Sequence, residues 1–148
     1  MKYYAVIDTN VIVSSMLKSP SNPATIVNLI KESVIVPLLN SEIIDEYKNV
    51  LLRNEFGFSE EVVEKVINEI IIRSIMLDRK TVIEEFKDKT DIVFYEIVMS
   101  ARCTMDAYLV TGNIKHYPIR NYVVTPRQML DIIEQEKELE KKNNNESA

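Results

Sequence analysis

Two short polar clusters close apolar runs in this chain, and their residue types could do chemistry together. The run Tyr3-Tyr4-Ala5-Val6-Ile7 ends in Asp8-Thr9-Asn10, and the run Ala107-Tyr108-Leu109-Val110 ends in Thr111-Gly112-Asn113. Glu46 and Asp91 fall near the starts of helical segments that can open on the same side. Carboxylates gathered in this way repel one another until protons or hard cations neutralise them. Oxygen ligands on a rigid frame suit Mg2+ or Mn2+, which keep several waters and bind a substrate phosphate. One or two such ions acidify water and stabilise a leaving oxygen, the requirements of phosphodiester hydrolysis.

The elements that must position these groups are legible as an alternation. Residues 3 to 7 read as a buried strand, followed by a helix to Leu17, a break at Ser19-Pro20-Ser21-Asn22-Pro23 and a helix from Pro23 to about Glu32. Val34 to Leu39 reads as a second strand, its Pro37 arguing for a strand end or edge. Ser41 and Ser59 are expected to cap a third and a fourth helix, the fourth with a core-facing Val/Ile stripe. Ser74 to Leu77 is a short candidate strand, Asp91 to Arg102 a helix, and Ala107 to Thr111 and Tyr122 to Val124 the last strands. A closing helix starts at Pro126, and a single domain is expected over residues 1–135. The charged, Asn-rich stretch 136–148 is expected to be a disordered tail. Buried strands alternating with helices and lacking hairpin turns predict an α/β domain in three layers, with a mostly parallel sheet. In such a sheet the crevice at the carboxyl ends of the strands binds the ligand.

Composition removes several alternatives. The chain has 148 residues and two glycines, Gly57 and Gly112, too few for a dinucleotide fingerprint or a phosphate-wrapping loop. One cysteine and one histidine cannot build a zinc site or an internal disulfide. A net charge of −5 argues against a bulk basic nucleic-acid binder. No apolar run approaches the ~18 residues of a membrane helix, so a cytoplasmic, membrane-free protein is the default expectation.

Five segments, taken in order, resemble the PIN-domain nucleases. They are Tyr4-Ala5-Val6-Ile7-Asp8-Thr9-Asn10-Val11; Ser41-Glu42-Ile43-Ile44-Asp45-Glu46-Tyr47; Asp88-Lys89-Thr90-Asp91-Ile92-Val93-Phe94-Tyr95-Glu96; Asp106 through Asn113 with Lys115-His116-Tyr117-Pro118; and Val123 to Leu130. The resemblance spans residues 3 to about 133 and implies a metal-dependent ribonuclease, similar to the toxin components of toxin–antitoxin pairs. It implies Mg2+ or Mn2+ as cofactor, RNA as substrate, an antitoxin as protein partner and a homodimer. By position, Asp8, Glu46 and Asp91 become the main metal-binding and catalytic carboxylates, with Asn113 as a neutral fourth ligand where the family usually has Asp. That departure leaves open a catalytically weak PIN fold that works by binding protein or RNA. A metal phosphatase using the same carboxylates is a third reading.

The remaining candidates divide by geometry. Asp8 and Asp91 could each cap a helix as well as bind a metal. Glu96 lies about 140° around the helix from Asp91, given about 100° per residue, and is a peripheral second-tier ligand. Asp106 precedes its strand and so belongs to the opposite rim; it too is second tier. Thr9, Asn10 and Thr111 are supporting residues, with Thr111 able to hydrogen-bond a carboxylate. Gly112 is expected to serve a close backbone approach or a positive φ. Lys115, Arg120, Arg127 and Arg53 are candidate contacts to RNA phosphates. His116 reads as a surface or packing residue, and Cys103 as a small half-buried side chain.

Overall fold

The computed structural model describes residues 1–147, with the backbone alone for Glu146 and Ser147. Five strands form one all-parallel sheet in the order β3-β2-β1-β4-β5: β1 is Tyr3–Ile7, β2 Ile35–Leu39, β3 Ile75–Met76, β4 Ala107–Val110 and β5 Val123–Val124. Six helices cover it: α1 Thr9–Leu17, α2 Asn22–Lys31, α3 Ser41–Leu51, α4 Glu60–Ile71, α5 Lys89–Ala101 and α6 Pro126–Ser147. Helix α2 packs on α1 and α6, and α3 on α1, α4 and α5, and the helices and sheet together form the expected three-layer α/β/α arrangement. Central β1 is apolar at every position, because both of its faces are covered. Its register sets Ile7 against Val110 of β4, so Asp8 and Thr111 leave the sheet side by side.

Helix starts show why particular acids are free for other work. Asn40, not Ser41, caps α3, its Oδ1 accepting from the Ile43 N–H at 2.9 Å. Ser59 caps α4 as expected. Asp88 caps α5 through the Thr90 N–H, so Asp91 is not a cap; it lies in the helix's first turn. Asp8 occupies the N-cap position of α1 but gives its side chain to no capping hydrogen bond. Losing the buried Asn40 cap (Asn40→Ala) is expected to cost about 1 kcal/mol, read as a shift in the chemical-denaturation midpoint at constant slope.

Pro37 is tolerated inside the sheet, contrary to its reading as a strand end or edge. The Leu39 carbonyl accepts from Leu77 on the β3 side, and Pro37 faces that side too, two residues earlier. Strand β3 pairs only with Leu38 and Leu39, so the missing N–H breaks no ladder bond. Helix α6 also runs on through residues 136–147 of the expected tail, with exposed side chains over most of that length; Ala148 lies outside the described residues. Its Glu, Lys and Gln content favours helix even where the apolar period has stopped. Among the described residues, no helix is long and apolar enough to cross a membrane.

Candidate active site

At the carboxyl end of the central strands, Asp8 is buried and heavily solvated by protein donors. Its Oδ2 accepts from the Thr111 hydroxyl at 2.8 Å, the Tyr117 hydroxyl at 3.0 Å and the Asn10 amide at 3.3 Å. No side chain among the described residues donates to Oδ1, and the Thr9 backbone N–H also bonds the carboxylate. Burial pushes the Asp8 carboxyl up from its ordinary range, while the Thr111 and Tyr117 bonds pull it partly back. Thr9, next to it, buries a hydroxyl with no hydrogen-bond partner among the described residues.

Asp91 reaches the same place from α5. The Tyr117 hydroxyl lies 3.4 Å from its Oδ1, and His116 Nδ1 lies 3.4 Å from its Oδ2. Burial raises the Asp91 carboxyl first, and the charges of Asp8 and Asp88 raise it further. His116 is exposed, as expected of a surface residue, and the 3₁₀ turn over Ile114–His116 also places it against Asp91. Tyr117 had no sequence-based role. The one signal for it is an aromatic hydroxyl placed directly after a rim motif.

The other candidates fall into clear positions. Glu46 lies on α3, half-buried, with no hydrogen bond or ion pair to Asp8 or Asp91. Its neighbour Tyr47 ties that helix to the site by donating to the Ile7 carbonyl at 2.5 Å. Asn113 is exposed; its backbone N–H donates to the Thr111 hydroxyl, and its side chain makes no bond to the carboxylates. Asn10 accepts from the Gly112 N–H at 2.9 Å, and a Cβ on Gly112 would stand 3.1 Å from the Asn10 Oδ1. Close approach is thus the reason for Gly112, whereas Gly57 takes the positive φ.

Glu96 is held away from the pair. Arg79 bonds its Oε1 twice, at 3.2 and 2.5 Å, and bonds Glu42 at 2.8 Å through its other nitrogen. Asp106 is exposed at the start of β4, beside Tyr3 and Tyr4, which is the opposite rim. Arg127 pairs with Asp131 on α6, Arg120 with Glu84, and Arg53 is exposed ahead of a 3₁₀ turn. Lys115 alone of the four basic candidates lines the cavity of about 780 Å3 beside Asp91, together with Phe86, Lys87, His116 and Tyr117.

Among the described residues, no three acidic, histidine or cysteine side chains converge as a ready metal cage. Two carboxylates suffice for the fit, since Mg2+ is commonly held by one or two of them and completes its shell with water and substrate oxygens. The donors here are all oxygen, and both carboxyls carry charge in a place that disfavours it. A hard divalent cation relieves both strains.

An all-parallel sheet between two helical layers, with acids at its carboxyl rim, is an architecture shared by many α/β proteins, and the sequence decides among them. The chain belongs to the PIN-domain family, whose model matches residues 4–115. PIN domains are in general metal-dependent nucleases, acting on nucleic acid with divalent ions such as Mg2+. No curated protein matches the chain.

Proposed function

We propose that this protein is a Mg2+- or Mn2+-dependent endoribonuclease that hydrolyses RNA phosphodiesters, acting as the toxin of a toxin–antitoxin pair. The observation that carries the reading is the Asp8–Asp91 pair, one acid buried and one half-buried, joined through Tyr117 at the carboxyl rim of a PIN fold. Asp8 and Asp91 would hold the cation, with Glu46 and Asn113 as the further ligands implied by their motif positions. The chemistry a bound ion supplies is a lowered pKa for the attacking water and neutralised charge on the scissile phosphate. The chain's own contribution is orientation: Thr111, Tyr117 and Asn10 hold one Asp8 oxygen still, leaving the other directed by default. With a net charge of −5, attraction of RNA falls to local cations, of which Lys87 and Lys115 line the cavity beside Asp91. The same reading includes an antitoxin that covers the acidic site, a homodimer and a cytoplasmic setting.

Purified protein with a labelled single-stranded RNA is expected to give cleavage products in Mn2+ and none after chelation. Turnover of a small phosphomonoester without RNA cleavage would make it a phosphatase instead. A second reading, a PIN fold that binds without cutting, is favoured by Asn113 at the fourth position and by the lack of contact between Glu46 and the acids. Calorimetry showing no divalent-ion uptake at millimolar concentration would support that reading.

A further inference from the structure

We propose that Tyr117 is a positioning residue of this site: its hydroxyl ties the Asp8 carboxylate to that of Asp91 and so sets the two acids for a shared cation. The proposal rests on the hydrolytic reading for the cation and on geometry alone for the tie. A phenol has one proton, and here it lies between two acceptors, Asp8 Oδ2 at 3.0 Å and Asp91 Oδ1 at 3.4 Å. Asp8 directly follows β1 and Asp91 lies on α5, 83 positions further on, and among the described residues no other side chain hydrogen-bonds both of them.

The hydroxyl can act this way because its ring cannot wander. Tyr117 is 5% exposed, and its ring meets that of Phe86 edge-on at 6.0 Å. Phe86 in turn packs on Tyr95 at 5.5 Å. The Tyr117 backbone N–H donates to Ile114 and closes the 3₁₀ turn from which the side chain springs. Partners of this kind around metal ligands are commonly worth about 10–100-fold in metal affinity.

Tyr117→Phe removes the hydroxyl and keeps the ring that packs on Phe86. Mn2+ titrated calorimetrically into metal-free protein is expected to bind about tenfold more weakly to the variant than to the wild type. Tyr122→Phe deletes a phenol that bonds Tyr95 and the Met99 sulfur instead, and is expected to leave Mn2+ affinity unchanged. In the absence of metal, the side-chain carboxyl 13C resonances of both Asp8 and Asp91 are expected to move in Tyr117→Phe at fixed pH. Unmoved resonances, or movement of Asp8 alone, would overturn the tie; Mn2+ affinity within twofold of wild type would overturn its role toward the cation. A wild-type protein that takes up no Mn2+ sinks the hydrolytic reading, and the metal-free resonances then decide Tyr117 by themselves.

Discussion

Asp8→Asn is expected to lower Mn2+-dependent RNA cleavage by at least about a hundredfold, a loss of some 3 kcal/mol of transition-state stabilisation, while making the metal-free protein more stable at neutral pH. The two effects have one origin. The Asp8 carboxyl is buried and its pKa is raised in the folded chain, so the folded state holds its proton more tightly than the unfolded state does. Stability therefore falls as pH rises from the ordinary carboxyl range through the raised value, and the whole deficit is present above it. Asn keeps an oxygen that can accept from Thr111 and Tyr117 but carries no charge to bury. A gain of about 1 kcal/mol, or roughly 3 °C for a chain of this size, is expected near pH 7.5. As pH is lowered through the window the gap should close, because the wild-type acid becomes neutral as well. Divalent ions should raise the wild-type midpoint and leave the variant's unchanged. Thermal melts at several pH values, with chelator or Mn2+, check all three points; a variant that is both active and less stable at neutral pH would remove Asp8 from the site.

The second large effect is expected outside the site. Between β3 and α5 the chain runs without regular structure from Leu77 to Asp88, pinned at two places. Arg79 bridges Glu42 of α3 and Glu96 of α5, and Glu84 accepts from the Tyr95 hydroxyl at 2.6 Å while pairing with Arg120. The Glu96 side chain is 7% exposed, so Arg79→Ala strands a carboxylate where water hardly reaches it. Breaking a fully buried pair costs about 3–5 kcal/mol. Arg79 itself is 37% exposed, and water entering its place reduces the expected loss to about 2 kcal/mol. The double variant Arg79→Met, Glu96→Leu leaves no buried charge behind, only the half-exposed Glu42, and is expected to recover most of that loss. Urea unfolding followed by circular dichroism reads both; equal midpoints for Arg79→Ala and wild type would show that the bridge contributes nothing.

How much of this was legible in the sequence depended on whether the deciding contact was local. Strands β1 and β4 were readable because both of their faces are buried, which leaves unbroken apolar runs that end abruptly at Asp8 and Thr111. The rim assignment followed from strand polarity, which also placed Asp106 on the far side. Caps were less certain by one to three residues, because Asn40 and Ser41, or Asp88 and Asp91, are equally good capping types. Only the folded backbone chooses between them. The Arg79 bridge was invisible, since an arginine in a loop flanked by charges looks like any solvated side chain. Tyr117 was missed for the opposite reason: its partner Asp8 is 109 positions away, and no periodicity records such a pairing. The surface position of His116 was legible, but a lone histidine before Tyr-Pro says nothing of the Asp91 that the turn brings near it.

The order of the strands carries a consequence for synthesis. First-made β1 becomes the centre of the sheet, but its second neighbour, β4, is not translated until position 107. Two of the three side-chain donors that hold Asp8 arrive later still, with Thr111 and Tyr117. During most of elongation Asp8 therefore lacks its Thr111 and Tyr117 partners and stands at the end of a half-paired strand. A fragment ending before β4 should therefore lack the joined Asp8–Tyr117–Asp91 cluster. The fold's topology leaves the cluster incomplete until about three-quarters of the chain exists.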